Sequence, residues 1–233
     1  MGTAGGSVLC SGTTTGQYQI NAANVQLTND AAGDMTLNGA SIGLIYAVET
    51  AANGVLVINQ GKMTWDNALY LIPAGGGRAL ANIGYLTNNN FSAARFRNEA
   101  GASLVMTTAS PALTDSGLDV VAVAASAANS QATVTNAGSI TFTNTATGAS
   151  VSNNVIEVLA QNFTLTNTGV VNSQSSADAF TNGFQPRMWA PASGGSGSTH
   201  QCRANPCHQH PSNTYIRQYR NLPARNGQFP GRK

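Results

Sequence analysis

Charge is scarce in this 233-residue chain: 9% of its residues are Asp, Glu, Lys or Arg, against about 25% in an average soluble domain. Histidine is missing from residues 1–185, all three copies lying at His200, His208 and His210. That removes the commonest general base from the body of the chain, and with it any Ser-His-Asp triad. Aromatics are sparse at 6%, so a core must be largely aliphatic. The three cysteines, Cys10, Cys202 and Cys207, do not make a disulfide framework. Long apolar runs are missing too. The most apolar stretch, residues 118–128, is interrupted by Asp119 and Ser126 and falls short of the ~20 residues a spanning helix needs. No membrane insertion by this segment is expected. A charged n-region followed by an apolar h-region is also lacking, so no signal peptide is read in these residues.

The few charges are unevenly placed. Residues 1–185 hold Lys62, Arg78, Arg95 and Arg97 against all nine acids, a net of −5, while residues 186–233 hold seven Lys and Arg and no acid. Nucleic-acid binding calls for a folded basic face. The body has none, and no nucleic-acid partner is expected.

What fills the space left by charge is Gly, Asn, Thr, Ser and Ala, arranged in a long-period repeat. Five times the chain reads apolar, any, apolar, any, asparagine, then glycine within four residues. The copies are Val25-x-Leu27-x-Asn29 with Gly33, Val55-x-Val57-x-Asn59 with Gly61, and Ala94-x-Phe96-x-Asn98 with Gly101. Ala132-x-Val134-x-Asn136 with Gly138 and Phe163-x-Leu165-x-Asn167 with Gly169 complete the set. Of the ten intervening positions eight are polar, and the asparagines lie 30, 39, 38 and 31 residues apart. A repeat of this period signals stacked supersecondary units, so the expected fold is an all-β solenoid.

The fourth copy shows one unit in full. Gln131–Asn136 alternates as a strand with Ala132 and Val134 on one face. Ala137-Gly138 turns the chain, with Gly138 free to adopt positive φ. Ser139–Asn144 alternates again, placing Ile140 and Phe142 inside. A third strand is read over residues 155–160, with Glu157 toward solvent and Ile156, Val158 and Ala160 inward. Three strands and three turns in about thirty residues make one triangular coil. In the first copy Met35 and Leu37 follow Gly33, and residues 41–49 supply the third strand with Leu44, Tyr46 and Val48 inward. In the second, Met63 and Trp65 follow Gly61; in the third, Leu104 and Met106 follow Gly101, and Leu118–Ala124 is the third strand. The fifth copy fades after Val171. Extra length in copies two and three is read as loops at residues 75–90 and 107–117, where a solenoid tolerates insertions.

The recurring asparagine has a physical reason. Equivalent residues in stacked parallel coils sit about 4.8 Å apart, so the amide N–H of one Asn can reach the carbonyl of the next. A ladder of this kind satisfies a polar group that is otherwise expensive to bury. Asn29, Asn59, Asn98, Asn136 and Asn167 are therefore read as structural, with Gly33, Gly61, Gly101, Gly138 and Gly169 as turn glycines.

The phrases Thr135-Asn136-Ala137-Gly138-Ser139-Ile140 and Thr166-Asn167-Thr168-Gly169-Val170-Val171 resemble the N-x-G-x-I repeats of bacterial autotransporter passenger domains and of filamentous-haemagglutinin-type adhesins. Residues 8–16 also look like the start of a mature passenger. The resemblance covers roughly residues 7–184. It implies a right-handed parallel β-helix of about five three-stranded rungs, exported to the cell surface or secreted. It also implies a longer protein ending in a C-terminal translocator barrel. Nothing after residue 185 resembles the alternating ~10-residue strands of such a barrel, so this chain is expected to be an N-terminal fragment. On this reading residues 1–20 form a cap region and residues 21–185 the β-helix.

Residues 186–233 break the pattern. Residues 191–198 form a Pro/Ser/Gly linker, and the remainder mixes Arg, His, Pro, Gln and Asn without periodicity. Cys202, Cys207, His208 and His210 lack zinc-finger spacing, and no metal or cofactor is expected. The segment reads as a disordered basic tail, and its abrupt loss of acids fits translation in a shifted frame. Resequencing the gene through codon 185 tests this, and an uninterrupted verified frame would refute it.

Many β-helices act on polysaccharides, so an enzyme is the alternative. Glycoside hydrolysis needs two facing carboxylates about 5–9.5 Å apart. The candidate pairs are Asp30 with Asp34 and Asp115 with Asp119, and each has a turn residue that commonly bonds local backbone. Residues 75–78, Gly-Gly-Gly-Arg, lack the spacing and the Lys-Ser/Thr of a P-loop. Arg95 and Arg97 lie on the solvent side of one strand, where an anionic glycan could reach them. The expectation is a non-enzymatic adhesin or structural stalk that binds a host or bacterial surface protein or glycan, with an inert spacer as a further alternative.

Overall fold

The computed structural model describes residues 3–16, 18–38, 45–47, 53–66, 68, 78–84, 90–109, 118–145, 152–175, 180–188 and 197–200. Among these residues there is no helix, and the strands come in triplets. β1 (Ser7–Cys10), β2 (Thr13–Thr15) and β3 (Tyr18–Ile20) are followed by β4 (Gln26–Asn29), β5 (Asp34–Asn38) and β6 (Ile45–Ala47). Next come β7 (Val55–Asn59), β8 (Lys62–Asp66) and β9 (Arg78–Ile83), then β10 (Ala93–Asn98), β11 (Ser103–Thr108) and β12 (Leu118–Ala124). β13 (Gln131–Asn136), β14 (Ser139–Asn144) and β15 (Ser152–Ala160) precede β16 (Asn162–Asn167), β17 (Val170–Ser175), β18 (Phe180–Met188) and β19 (Gly197–His200).

Every third strand pairs in parallel with its predecessor. The first sheet runs β1-β4-β7-β10-β13-β16-β19, the second β17-β14-β11-β8-β5-β2, and the third β18-β15-β12-β9-β6-β3. The protein is thus an all-β stack of parallel strands in three sheets, an arrangement compatible with a β-helix. Residues 7–20 contribute one strand to each sheet. Residues 201–233, with Cys202, Cys207, His208 and His210, lie outside the described residues.

Strict register turns the sequence alternation into apolar columns. Leu27, Val57, Phe96, Val134 and Leu165 are successive partners in the first sheet. Met35, Met63, Leu104 and Ile140 stack in the second, beside Leu37, Trp65, Met106 and Phe142. All are buried in one core cluster that Ile83, Val123 and Val158 join from the third sheet. Buried apolar area contributes about 25 cal/mol per Å², and here it accrues between neighbours along the stack rather than around one centre.

The five asparagines occupy one register position of the first sheet. Asn29 Nδ2 donates to Asn59 Oδ1 at 2.8 Å, Asn59 to Asn98 at 2.8 Å, Asn98 to Asn136 at 2.7 Å and Asn136 to Asn167 at 2.6 Å. Asn29, Asn59 and Asn98 also donate to the carbonyls of Lys62, Ser103 and Ser139 at 3.1, 3.2 and 3.2 Å. Each of these amides therefore ties its own coil to the next one at two points, a side chain and the start of the following second strand.

At the head of the ladder the pattern stops. Asn29 Oδ1 is buried without a donor, and its register partner in β1 is Cys10. Burial pushes the Cys10 thiol above its ordinary value of 9.0, with a smaller opposing contribution from its hydrogen bond with Tyr18. That same bond raises the Tyr18 phenol. Raised acids favour the protonated folded state, so their stabilisation is full below the unfolded pKa and is lost as pH rises through the folded one. Cys10→Asn should supply the missing donor and raise stability by about 1 kcal/mol near neutrality. It should also flatten the decline of stability above pH 9.0. Denaturant melts of parent and variant at neutral and alkaline pH check both points, and a destabilised variant would count against a ladder that Asn can extend.

Four expectations need correction. The fifth copy does not fade after Val171: β17 runs to Ser175, and β18 pairs in register with β15. The segment read as a loop at residues 75–90 contains β9, whose Ala79, Leu80, Ala81 and Ile83 are buried. Arg, Ala and Asn are weak strand formers, but pairing with β6 and β12 overrides their propensity. Glu157 does not face solvent; it is 3% exposed. Gly138 does not have positive φ, whereas Gly101 does, at 85°. Of the third strand read over residues 41–49, only 45–47 fall among the described residues.

Candidate functional site

Outward positions form rows because the register that stacks the core also stacks the surface. On the first sheet one row reads Thr28, Ile58, Arg97, Thr135, Thr166 and its neighbour Gln26, Leu56, Arg95, Thr133, Thr164. The arginines are engaged locally: Arg97 pairs with Glu99, and Arg95 Nη2 donates to the Gly54 carbonyl at 3.3 Å. Ile58, the register partner of Arg97, is only 8% exposed, and an arginine stem covers such a residue well. These two cations thus belong to the local packing of the face.

The second sheet carries a longer polar face. One row reads Thr15, Thr36, Thr64, Val105, Thr141, Asn172. Another begins at Thr13 and passes through Asp34, Lys62, Ser103 and Ser139, with Asp34 and Lys62 facing each other at 3.9 Å.

At the C-terminal ends of these strands the face becomes concave. Asn38 is the register partner of Asp66, and Thr107 that of Thr143. Thr107 Oγ1 donates to Asp66 Oδ1, which joins the two halves of the row. With Thr108, Ala109 and Thr145 they line a groove of about 420 Å³, within the usual size range of ligand pockets. Its floor is fixed: Thr108 Oγ1 donates to the Ala68 carbonyl at 2.6 Å, and Thr145 N to the Thr108 carbonyl at 2.8 Å. No motif of consecutive residues marks this groove. The available signal was positional, since each row member follows the second inward apolar residue of its strand: Leu37, Trp65, Met106 and Phe142.

In the third sheet the central strand β12 is covered on both sides. All seven residues of β12 are buried, and Glu157 lies two strands from Asn82 in one row, with Ala122 between them. Period-two alternation predicts a solvent face only where a sheet has one, which is why it misplaced Glu157.

Each candidate carboxylate among the described residues is engaged by a hydrogen bond. Asp30 accepts from the Ala32 N–H at 2.9 Å in its own turn, and Asp34 accepts from Thr36 Oγ1 at 3.1 Å. Asp119 is 2% exposed and accepts from Asn154 Nδ2 at 2.9 Å. Asp115 lies outside the described residues. Among the described residues no three His, Cys, Asp or Glu side chains are grouped to hold a metal ion, and no helix is long and apolar enough to cross a membrane. Compared with known proteins, the chain matches no protein family, no curated protein and no solved structure.

Proposed function

We propose that this protein is a non-catalytic adhesive rod, surface-exposed or secreted. In this reading it is a right-handed parallel β-helix of stacked three-stranded rungs, of the kind found in autotransporter passenger domains. It binds host or cell-surface proteins or glycans through its loops and strand faces. The observation that carries the reading is the repeated outward rows of Thr, Ser and Asn on the first and second sheets. Each such contact is weak, and binding strength comes from engaging many at once along a rigid support. The local hydrogen bonds of Asp30, Asp34 and Asp119 favour a role without a chemical step.

A direct test is retention of the fluorescently labelled chain on cultured epithelial cells. Saturable retention that excess unlabelled chain displaces is the expected result. Retention no greater than that of a size-matched inert protein would defeat the proposal. Release of new reducing ends from added polysaccharide would favour the enzyme alternative.

A further inference from the structure

From the groove at the end of the second sheet we infer a binding site for an extended, uncharged polysaccharide chain lying along the stacking direction. The inference rests on the adhesive reading and gives it a location and a ligand class. Asn38, Asp66, Thr107 and Thr143 lie across β5, β8, β11 and β14. At ~4.8 Å per strand the row extends about 14 Å, so the site is a trough rather than a point. A linear ligand with repeated hydroxyls can meet a row of repeated polar groups without changing register.

The chemistry of the lining narrows the ligand. Hydroxyls both donate and accept, while a carboxylate only accepts, and sugar hydroxyls supply both functions. Among the described residues Asp66 is the one ionisable group in the lining; Lys62 sits at the opposite end of β8, facing Asp34. An acidic polysaccharide would therefore meet repulsion without compensation. A protein partner is disfavoured because the lining, among the described residues, offers no aromatic or arginine anchor. A single carboxylate does not provide the pair that glycoside hydrolysis requires, so the site binds and releases its ligand unchanged.

The test is affinity electrophoresis of the full chain in native gels containing laminarin, hydroxyethylcellulose or dextran as neutral polymers, or polygalacturonate as the anionic one. Retardation by at least one neutral polymer and none by polygalacturonate is expected. The double variant Thr107→Val/Thr143→Val keeps shape and strand propensity but removes two hydroxyls, and should reduce the retardation at least several-fold. Asp66→Asn, near-isosteric and able to keep accepting from Thr107, should reduce it as well and guards against misfolding of the double variant. Lack of retardation by every neutral polymer overturns the site, as does unchanged retardation in both variants. If the parent binds cells while the groove variants bind polymer unchanged, the groove assignment falls and the adhesive reading stands. If the parent binds no cells yet is retarded through the groove, the adhesive reading falls and the site stands.

Discussion

Asn98→Ala should destabilise the protein by about 4 kcal/mol, roughly twice the effect of Asn29→Ala. Asn98 sits in the interior of the ladder, accepting from Asn59 and donating to both Asn136 Oδ1 and the Ser139 carbonyl. Removing it leaves an Asn59 N–H and the Asn136 oxygen without partners, and both residues are 0% exposed. Each orphaned buried group costs about 1–3 kcal/mol, and a small cavity adds to the total. Asn29 stands at the head of the ladder, where its Oδ1 already lacks a donor. Its loss leaves the Asn59 oxygen and the Lys62 carbonyl short of one donor each, but carbonyls tolerate under-satisfaction better than N–H groups do. It also removes a pre-existing unsatisfied atom. Denaturant unfolding of the two variants against the parent measures both values. Equal losses would mean that the ladder's hydrogen bonds do not govern stability and that only local packing matters.

The ladder was legible in the sequence because stacking imposes equivalence. When coil repeats on coil, a position solved by asparagine once is solved by asparagine again, and the spacing survives insertions of several residues between copies. The apolar columns were legible for the same reason: Leu27, Val57, Phe96, Val134 and Leu165 follow a period-two rule fixed by the pleat. β9 was hidden because its Arg-Ala-Leu-Ala-Asn-Ile carries little intrinsic strand preference, and its conformation comes from neighbours 30 to 40 residues away in sequence. Glu157 was misread because burial of a sheet's second face depends on what covers it, which alternation within the strand does not encode. The groove was invisible for a third reason. Asn38, Asp66, Thr107 and Thr143 do not repeat a single residue type, and they become one row only after register is known.

Gly138 is the position where the sequence pointed to the right residue for the wrong reason, and this gives the second large effect. Gly138→Ala should cost about 3 kcal/mol or more, while Gly101→Ala should cost about 1–2 kcal/mol, the usual penalty for a side chain in the left-handed region. Gly101 has φ of 85° with open space around it, so its alanine meets backbone strain alone. Gly138 has an ordinary φ, but a Cβ there would overlap the carbonyl oxygens of Ala102 and Glu99 from the preceding coil and crowd Asn98 Nδ2. Those carbonyls cannot easily retreat. The Ala102 oxygen accepts from Ser139 N at 2.9 Å, and the Glu99 oxygen from Ala102 N at 3.1 Å. Relieving the overlap therefore means lengthening an inter-coil hydrogen bond, opening a turn, or displacing the ladder asparagine, each of which adds to an overpacking penalty of about 1–3 kcal/mol. The turn in copy three avoids this problem by being longer: four residues lie between Asn98 and Ser103, two between Asn136 and Ser139, and Ala102 fits where the shorter turn needs glycine. Parallel melts of the two variants decide the matter. A Gly101→Ala loss equal to or larger than the Gly138→Ala loss would show that conformational freedom, not the closeness of successive coils, selects glycine at these turns.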